Sequence, residues 1–171
     1  LEKYAYYSKK KTDVTLWFHG ASVGEIMSIL PIINEFEKDR DIKKILLTSS
    51  TVSSASIIAK KPFKKTTHIY YPFDVGFICD KFLNEWKPKI AIFVDSEIWP
   101  NMYEKINSRK IPLILINARI TQKSFNRWKL FPFFAKEVFN KITIALPQNQ
   151  ETKNYLKKLG VKKIKLLGNL K

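Results

Sequence analysis

Two acidic residues lie in patterns able to move a proton or to hold a sugar hydroxyl. The first is Glu25, in His19-Gly20-Ala21-Ser22-Val23-Gly24-Glu25. A carboxylate just inside a helix start stays ionised, because the positive end of the helix dipole favours its charge. It can then take a proton from an attacking hydroxyl in the transition state. Ser22-x-x-Glu25 equally matches a capping box, in which Glu25 reaches back to the Ser22 N–H. The second is Glu97, in Asp95-Ser96-Glu97-Ile98-Trp99-Pro100-Asn101. Glu97 could accept a hydrogen bond from a sugar hydroxyl in a pocket walled by Trp99. Alternatively, Ser96 or Glu97 lies near the N-cap of a helix whose first turn holds Pro100. A third feature is Asn117-Ala118-Arg119, where Arg119 can clamp a phosphate through two parallel N–H bonds. It can also pair with Glu97 or Asp95 as a structural bridge.

Several chemistries fit poorly. Gly20 and Gly24 let the backbone approach a ligand, and free N–H groups at a helix start favour anions. The turn is not G-x-G-x-x-G, however, and no acidic residue ends the next strand, so a dinucleotide site lacks support. No P-loop lysine pattern occurs. His19 and His68 are far apart and Cys79 is the single cysteine, so no zinc spacing exists and no metal site is expected. His19 lacks an evident triad partner and reads as a hydrogen-bonded structural histidine. One cysteine excludes an internal disulfide and fits a reducing compartment.

The elements that must position these residues follow from periodicity. Strands are expected at Val14–Phe18, Lys44–Thr48, His68–Tyr71, Ile90–Val94, Leu113–Asn117, Thr143–Leu146 and Lys163–Leu167. Most are continuously apolar, as strands covered on both faces are. Helical stripes run through Ile26, Ile29, Leu30, Ile33 and Phe36, and through Val75, Ile78, Cys79, Phe82 and Trp86. A third runs through Tyr155, Leu156 and Leu159, ended by Gly160. Alternation of this kind predicts an α/β domain: a Rossmann-like parallel sheet with helices on both faces. Ligands of such sheets bind beyond the carboxyl ends of the strands, which is where residues 25, 97 and 119 would gather.

The 171 residues suit a single domain and carry a net charge of +16, unevenly placed. Residues 1–100 hold 15 Lys and Arg against 12 Asp and Glu; residues 101–171 hold 16 against 3. A compositional bias toward lysine does not explain the missing acids, so an anionic partner is expected. Aromatic and basic residues interleave over 123–141, including Phe125, Arg127, Trp128, Lys129 and Phe131. This fits a segment that dips aromatics into lipid headgroups. Such mixing also suits single-stranded nucleic acid, and a core helix with basic outer residues is the plainer alternative.

Taken in order, these motifs resemble the amino-terminal domain of the Kdo (3-deoxy-D-manno-octulosonic acid) transferases. The resemblance runs through Trp17 to Glu25, Thr48–Ser54, Tyr71-Pro72-Phe73-Asp74, Glu97 to Asn101, Ile111-Pro112, Asn117 to Ile120, and Gly168 to Lys171. Asp95-Ser96-Glu97 stands where Glu-Thr-Glu is usual. The resemblance implies the N-terminal half of a GT-B glycosyltransferase, spanning 1–171 as one acceptor-binding domain. The donor-binding domain and an N-terminal membrane anchor would lie outside this chain. It further implies metal-free, inverting transfer of Kdo from CMP-Kdo to a glucosamine hydroxyl of a lipid A precursor, at the cytoplasmic face of the inner membrane. Glu25 would be the catalytic base. Ser22, Gly24, Ser50, Thr51, Glu97, Asn117 and Arg119 would contact the acceptor. Phe125, Arg127, Trp128, Lys129 and Phe131 would meet acyl chains or an anionic membrane. No cofactor is implied. Two rivals are another GT-B enzyme with a lipid-linked acceptor and a basic nucleic-acid-binding module. The second leaves carboxylates at 25 and 97 unexplained, since they would repel phosphates.

Overall fold

The computed structural model describes residues 1–7 and 14–166. Six strands form one sheet: β1 (Leu16–His19), β2 (Ile45–Ser49), β3 (Thr66–Tyr70), β4 (Ile90–Val94), β5 (Leu113–Ala118) and β6 (Ile144–Pro147). Their order is β3-β2-β1-β4-β5-β6, and every neighbouring pair is parallel. The expected seventh strand is reduced to a bridge between Ile164 and Ala145, flanked by Lys165 N–H donating to the Ala145 carbonyl. Leu167 and the Gly168–Lys171 motif lie outside the described residues.

Among the described residues, seven α-helices connect and follow the strands: α1 (Val23–Lys38), α2 (Val52–Ala59), α3 (Gly76–Trp86), α4 (Pro100–Ser108), α5 (Gln122–Lys129), α6 (Pro132–Phe139) and α7 (Gln150–Leu159). Their starts are written locally. Ser22, Thr51, Thr121 and Asn149 each accept a backbone N–H at the first turn of α1, α2, α5 and α7. Pro100 and Pro132 open α4 and α6, where a missing N–H breaks no helical bond. Gly160 ends α7 at φ 115°, a left-handed geometry that glycine adopts without a Cβ clash. Pro132, which interrupts the helical pattern of 123–141, thus marks the junction between two short helices. Among the described residues, no helix is long and apolar enough to cross a membrane.

The pleat of each strand sends alternate side chains to opposite faces. Leu16, Phe18, Ile45 and Leu47 pack on one face beneath Ile26, Ile29, Leu30 and Ile33 of α1 and Ile58 of α2. Trp17, Leu46, Phe93 and Leu115 pack on the other, with Phe82 and Trp86 of α3, Tyr103 and Ile106 of α4, and Phe139 of α6. Helices therefore cover both faces, which is why the strands read as unbroken apolar runs. Ile29 is fully buried, so truncation to Ala would cost about 2–5 kcal/mol.

Strand order reverses between β1 and β4, because β2 and β3 build outward on one side and β5 and β6 on the other. The connections leaving β1 and β4 diverge there and open a crevice at the carboxyl edge.

Candidate functional site

That crevice is a cleft of about 420 Å³. Ser22, Gly24, Glu25 and Ser28 line it from the start of α1; Asp95 and Ser96 line it from the end of β4; Asn117 and Arg119 line it from the end of β5. The sheet thus brings together five of the eight residues named for catalysis and acceptor contact. Their roles are a separate matter from their positions.

Glu25 is half-buried. Its Oε2 accepts the Ala21 N–H at 2.8 Å and its Oε1 accepts the Ser22 hydroxyl at 2.9 Å. Ser22 Oγ in turn accepts the Glu25 N–H at 3.3 Å. The capping box is therefore present with one change: Glu25 reaches the N–H of Ala21, one residue earlier than Ser22. The capping carboxylate also lines the cleft, so capping leaves it at the strand tips. Its proton affinity runs against the expectation from the helix dipole. Burial raises its pKa above the ordinary value, and the charges of Glu97 and Asp95 push it the same way. The bonds from Ala21 and Ser22 oppose the rise without cancelling it.

Glu97 is not among the residues that line the cleft; it follows Asp95 and Ser96, which do, and its side chain is 14% exposed. Its Oε2 accepts from His19 Nε2 at 3.0 Å and from Trp99 Nε1 at 2.8 Å. The expected N-cap role of Ser96 or Glu97 is not observed: the N-cap of α4 is Trp99, with no side-chain cap. Asp74, from the loop after β3, serves that helix start instead. Its carboxylate accepts the Asn101 N–H at 3.1 Å and the Met102 N–H at 2.7 Å. Arg119 is exposed, and its backbone N–H donates to the Asp95 carbonyl at 3.2 Å. Glu97 Oε2 is held by the two ring N–H donors, and among the described residues no ion pair joins Glu97 to Arg119.

Asn117 is 5% exposed, and its side-chain Oδ1 is buried without a hydrogen-bond partner among the described residues. Both Asn117 (φ 50°) and Asp95 (φ 59°) hold left-handed backbones at the strand tips. Such strain is retained where surrounding structure fixes it, often at working sites. The residue lines the cleft while this acceptor is itself buried.

Ser50 and Thr51 stand beside the cleft rather than in its lining. The Ser50 N–H donates to the Ala21 carbonyl at 3.3 Å. Thr51 Oγ1 is engaged at the start of α2 by the Ser54 N–H and hydroxyl. Gly24 has open space where a Cβ would project, whereas a Cβ on Gly20 would meet that of Glu25 at 3.2 Å. The approach argument therefore holds for Gly24, and Gly20 is needed for packing.

The 123–141 segment divides by face. Phe125 is buried and stacks on Tyr155 with ring centroids 4.4 Å apart, and Trp128 packs edge-on to Phe139 at 5.1 Å. Phe125 belongs to the interior rather than to a contact surface, whereas Trp128 is half-buried, with its other neighbour the exposed Phe134, stacked 6.1 Å away. Phe131 is 67% exposed, and three residues not singled out from sequence join it: Leu130, Phe133 and Phe134. Arg127, Lys129 and Lys136 are exposed around them. His19, which reads from the sequence as a structural histidine, meets Glu97 here; the local signal for it is the Glu97-x-Trp99 pair of acceptor and donor.

A parallel sheet of this order, with a polar cleft at its switch point, defines a Rossmann-like domain of the GT-B architecture. Solved structures agree on the fold. UDP-GlcNAc 2-epimerase from Neisseria meningitidis superposes with a TM-score of 0.62 at 18% identity, covering 93% of this chain and 47% of that one. The Rickettsia bellii UDP-N-acetylglucosamine 2-epimerase gives 0.61 at 15% identity, covering 93% and 46%. The sequence is more specific. The family described as 3-deoxy-D-manno-octulosonic-acid transferase (kdotransferase) matches over residues 1–171, and the chain belongs to that family. The 3-deoxy-D-manno-octulosonic acid transferase of Rickettsia bellii is 35% identical over 156 residues, 91% of this chain and 37% of the relative. That of Haemophilus influenzae is 26% identical over 174 residues, 99% of this chain and 41% of the relative. The chain thus spans less than half the length of these relatives.

Proposed function

We propose that this chain is the acceptor-binding domain of an inverting glycosyltransferase that moves Kdo from CMP-Kdo to a glucosamine hydroxyl of a lipid A precursor. The observation that carries the reading is the placement of Glu25. Two hydrogen bonds fix its carboxylate at the crevice between β1 and β4, within a cleft that also holds Asn117 and Arg119. In the reaction, Glu25 takes the proton of the attacking hydroxyl as its oxygen bonds to the anomeric carbon. The bond to CMP breaks, and CMP leaves with the electron pair. CMP is a good leaving group, so one protein carboxylate suffices. A base whose pKa is raised toward the working pH accepts a proton more readily than an ordinary carboxylate. Among the described residues, Glu25 and Asp95, against the single cation Arg119, line the cleft inside a chain of net charge +16. Negative charge there favours the positive character that develops on a sugar ring during transfer, and disfavours a nucleic-acid backbone.

The donor would bind a second domain, for which the relatives' additional length leaves room. The exposed Phe131, Phe133, Leu130 and Phe134, with Arg127, Lys129 and Lys136 exposed in the same segment, support contact with an anionic membrane surface. The reading accordingly puts the enzyme at the cytoplasmic face of the inner membrane. The experiment is Glu25→Gln in the full-length enzyme. Turnover should fall by about 10²–10⁴-fold while the lipid acceptor still binds. Unchanged turnover would remove Glu25 from the chemistry.

A further inference from the structure

His19 is fully buried at the end of β1, 78 residues before Glu97 in the chain. Its ring lies face to face with Tyr71, centroids 3.9 Å apart, and edge-on to Phe93 at 5.2 Å and Trp99 at 6.3 Å. Its two nitrogens face different partners. Nε2 is 3.0 Å from Glu97 Oε2, and Nδ1 is 3.0 Å from Thr48 Oγ1, with the Thr48 carbonyl at 3.3 Å. Thr48 Oγ1 is also 3.0 Å from Trp17 Nε1.

Counting protons gives these contacts a direction. An indole N–H only donates, so Thr48 Oγ1 accepts from Trp17 and keeps its own hydrogen to give. An ionised carboxylate only accepts, so the His19 nitrogen facing Glu97 carries the hydrogen. The other nitrogen then offers a lone pair, and the Thr48 hydroxyl, whose second acceptor is the Phe18 carbonyl at 3.3 Å, donates to it over the shorter 3.0 Å. The chain reads Trp17 to Thr48 to His19 to Glu97, with Trp99 donating to Glu97 from the opposite side. The alternative, an imidazolium, would place a charge among aromatic rings away from water. Burial lowers the His19 pKa despite the opposing pull of Glu97.

We propose that His19 is a positioning residue: held as the neutral Nε2–H tautomer by Thr48, it fixes the Glu97 carboxylate and so keeps the charge of Glu97 bearing on Glu25. The groups that face Glu25 are Glu97 and Asp95 from the β4 exit and Arg119 from the β5 exit. Glu97 and Asp95 oppose ionisation of Glu25. Glu97 is the member whose orientation a buried relay controls. The value of this arrangement to the reaction rests on Glu25 being the base; its test does not.

The test uses the 171-residue chain and NMR. Side-chain ¹⁵N spectra of His19 should show a protonated Nε2 and an unprotonated Nδ1. Carboxyl ¹³C titration should then place the Glu25 midpoint above that of an ordinary glutamate, and Glu97→Gln should shift it downward. Thr48→Val removes the hydroxyl that holds Nδ1, so the Nδ1–H form should appear and Glu25 should again shift downward. If Thr48→Val fails to fold, the wild-type tautomer and Glu97→Gln still decide. An Nδ1–H tautomer in the wild type, or a Glu25 midpoint indifferent to Glu97→Gln, overturns the proposal. A histidine that merely packs would lose stability on mutation and leave the Glu25 midpoint unmoved. Turnover surviving Glu25→Gln would instead discard the catalytic reading and leave the relay standing.

Discussion

Ser22 and Glu25 bind each other twice: the Glu25 N–H donates to Ser22 Oγ at 3.3 Å, and the Ser22 hydroxyl donates to Glu25 Oε1 at 2.9 Å. One pair of side chains thereby starts α1 and aims a carboxylate into the cleft.

Ser22→Ala removes both bonds, and its two consequences separate by pH. Loss of the cap should lower stability by about 1 kcal/mol, read by chemical denaturation. Loss of the hydroxyl donor removes a contact that lowers the Glu25 pKa, so that pKa should rise further. A base works only when deprotonated, so the acidic limb of the full enzyme's pH–rate profile should move to higher pH. The same sign governs stability. Glu25 has a folded-state pKa raised above its unfolded value, so its contribution is complete below the unfolded value and is lost as pH rises through the folded one. An acidic limb that moves to lower pH in Ser22→Ala would contradict this account.

Gly24 lies in the first turn of α1 with open space where a side chain would project. Gly24→Leu should therefore fold with unchanged or slightly greater stability, because glycine costs about 0.5–1 kcal/mol relative to alanine in a helix. Its side chain would enter the cleft that Glu25, Asn117 and Arg119 share. We expect KM for the lipid acceptor to rise at least about tenfold, equivalent to about 1.4 kcal/mol of lost binding. Unaltered acceptor kinetics would place the acceptor elsewhere.

Phe131 and Phe133 are 67% and 90% exposed, while Phe125 is 5% exposed. Replacing the exposed pair with Ser should leave thermal stability nearly unchanged and weaken sedimentation with vesicles containing anionic lipid. Phe125→Ser should do the reverse and destabilise the fold, since it removes a ring buried against Tyr155. Equal vesicle binding by the wild type and the Phe131/Phe133 variant would exclude this face from the membrane.

Local features were decided by the sequence itself. Apolar runs marked most of the strands, and Ser22 and Gly160 marked helix ends, because caps and periodicities depend on residues a few positions apart. The α/β class followed from their alternation. What depended on strand order was open until the sheet was assembled. Only the packing of β1 beside both β2 and β4 sets His19 between Thr48 and Glu97. Only the docking of the β3 exit against α4 lets Asp74 supply a cap that Ser96 and Glu97 do not. The interleaved aromatics of 123–141 likewise could not show their faces, since Phe125 and Phe131 differ in the rotation of two short helices against the core rather than in residue type.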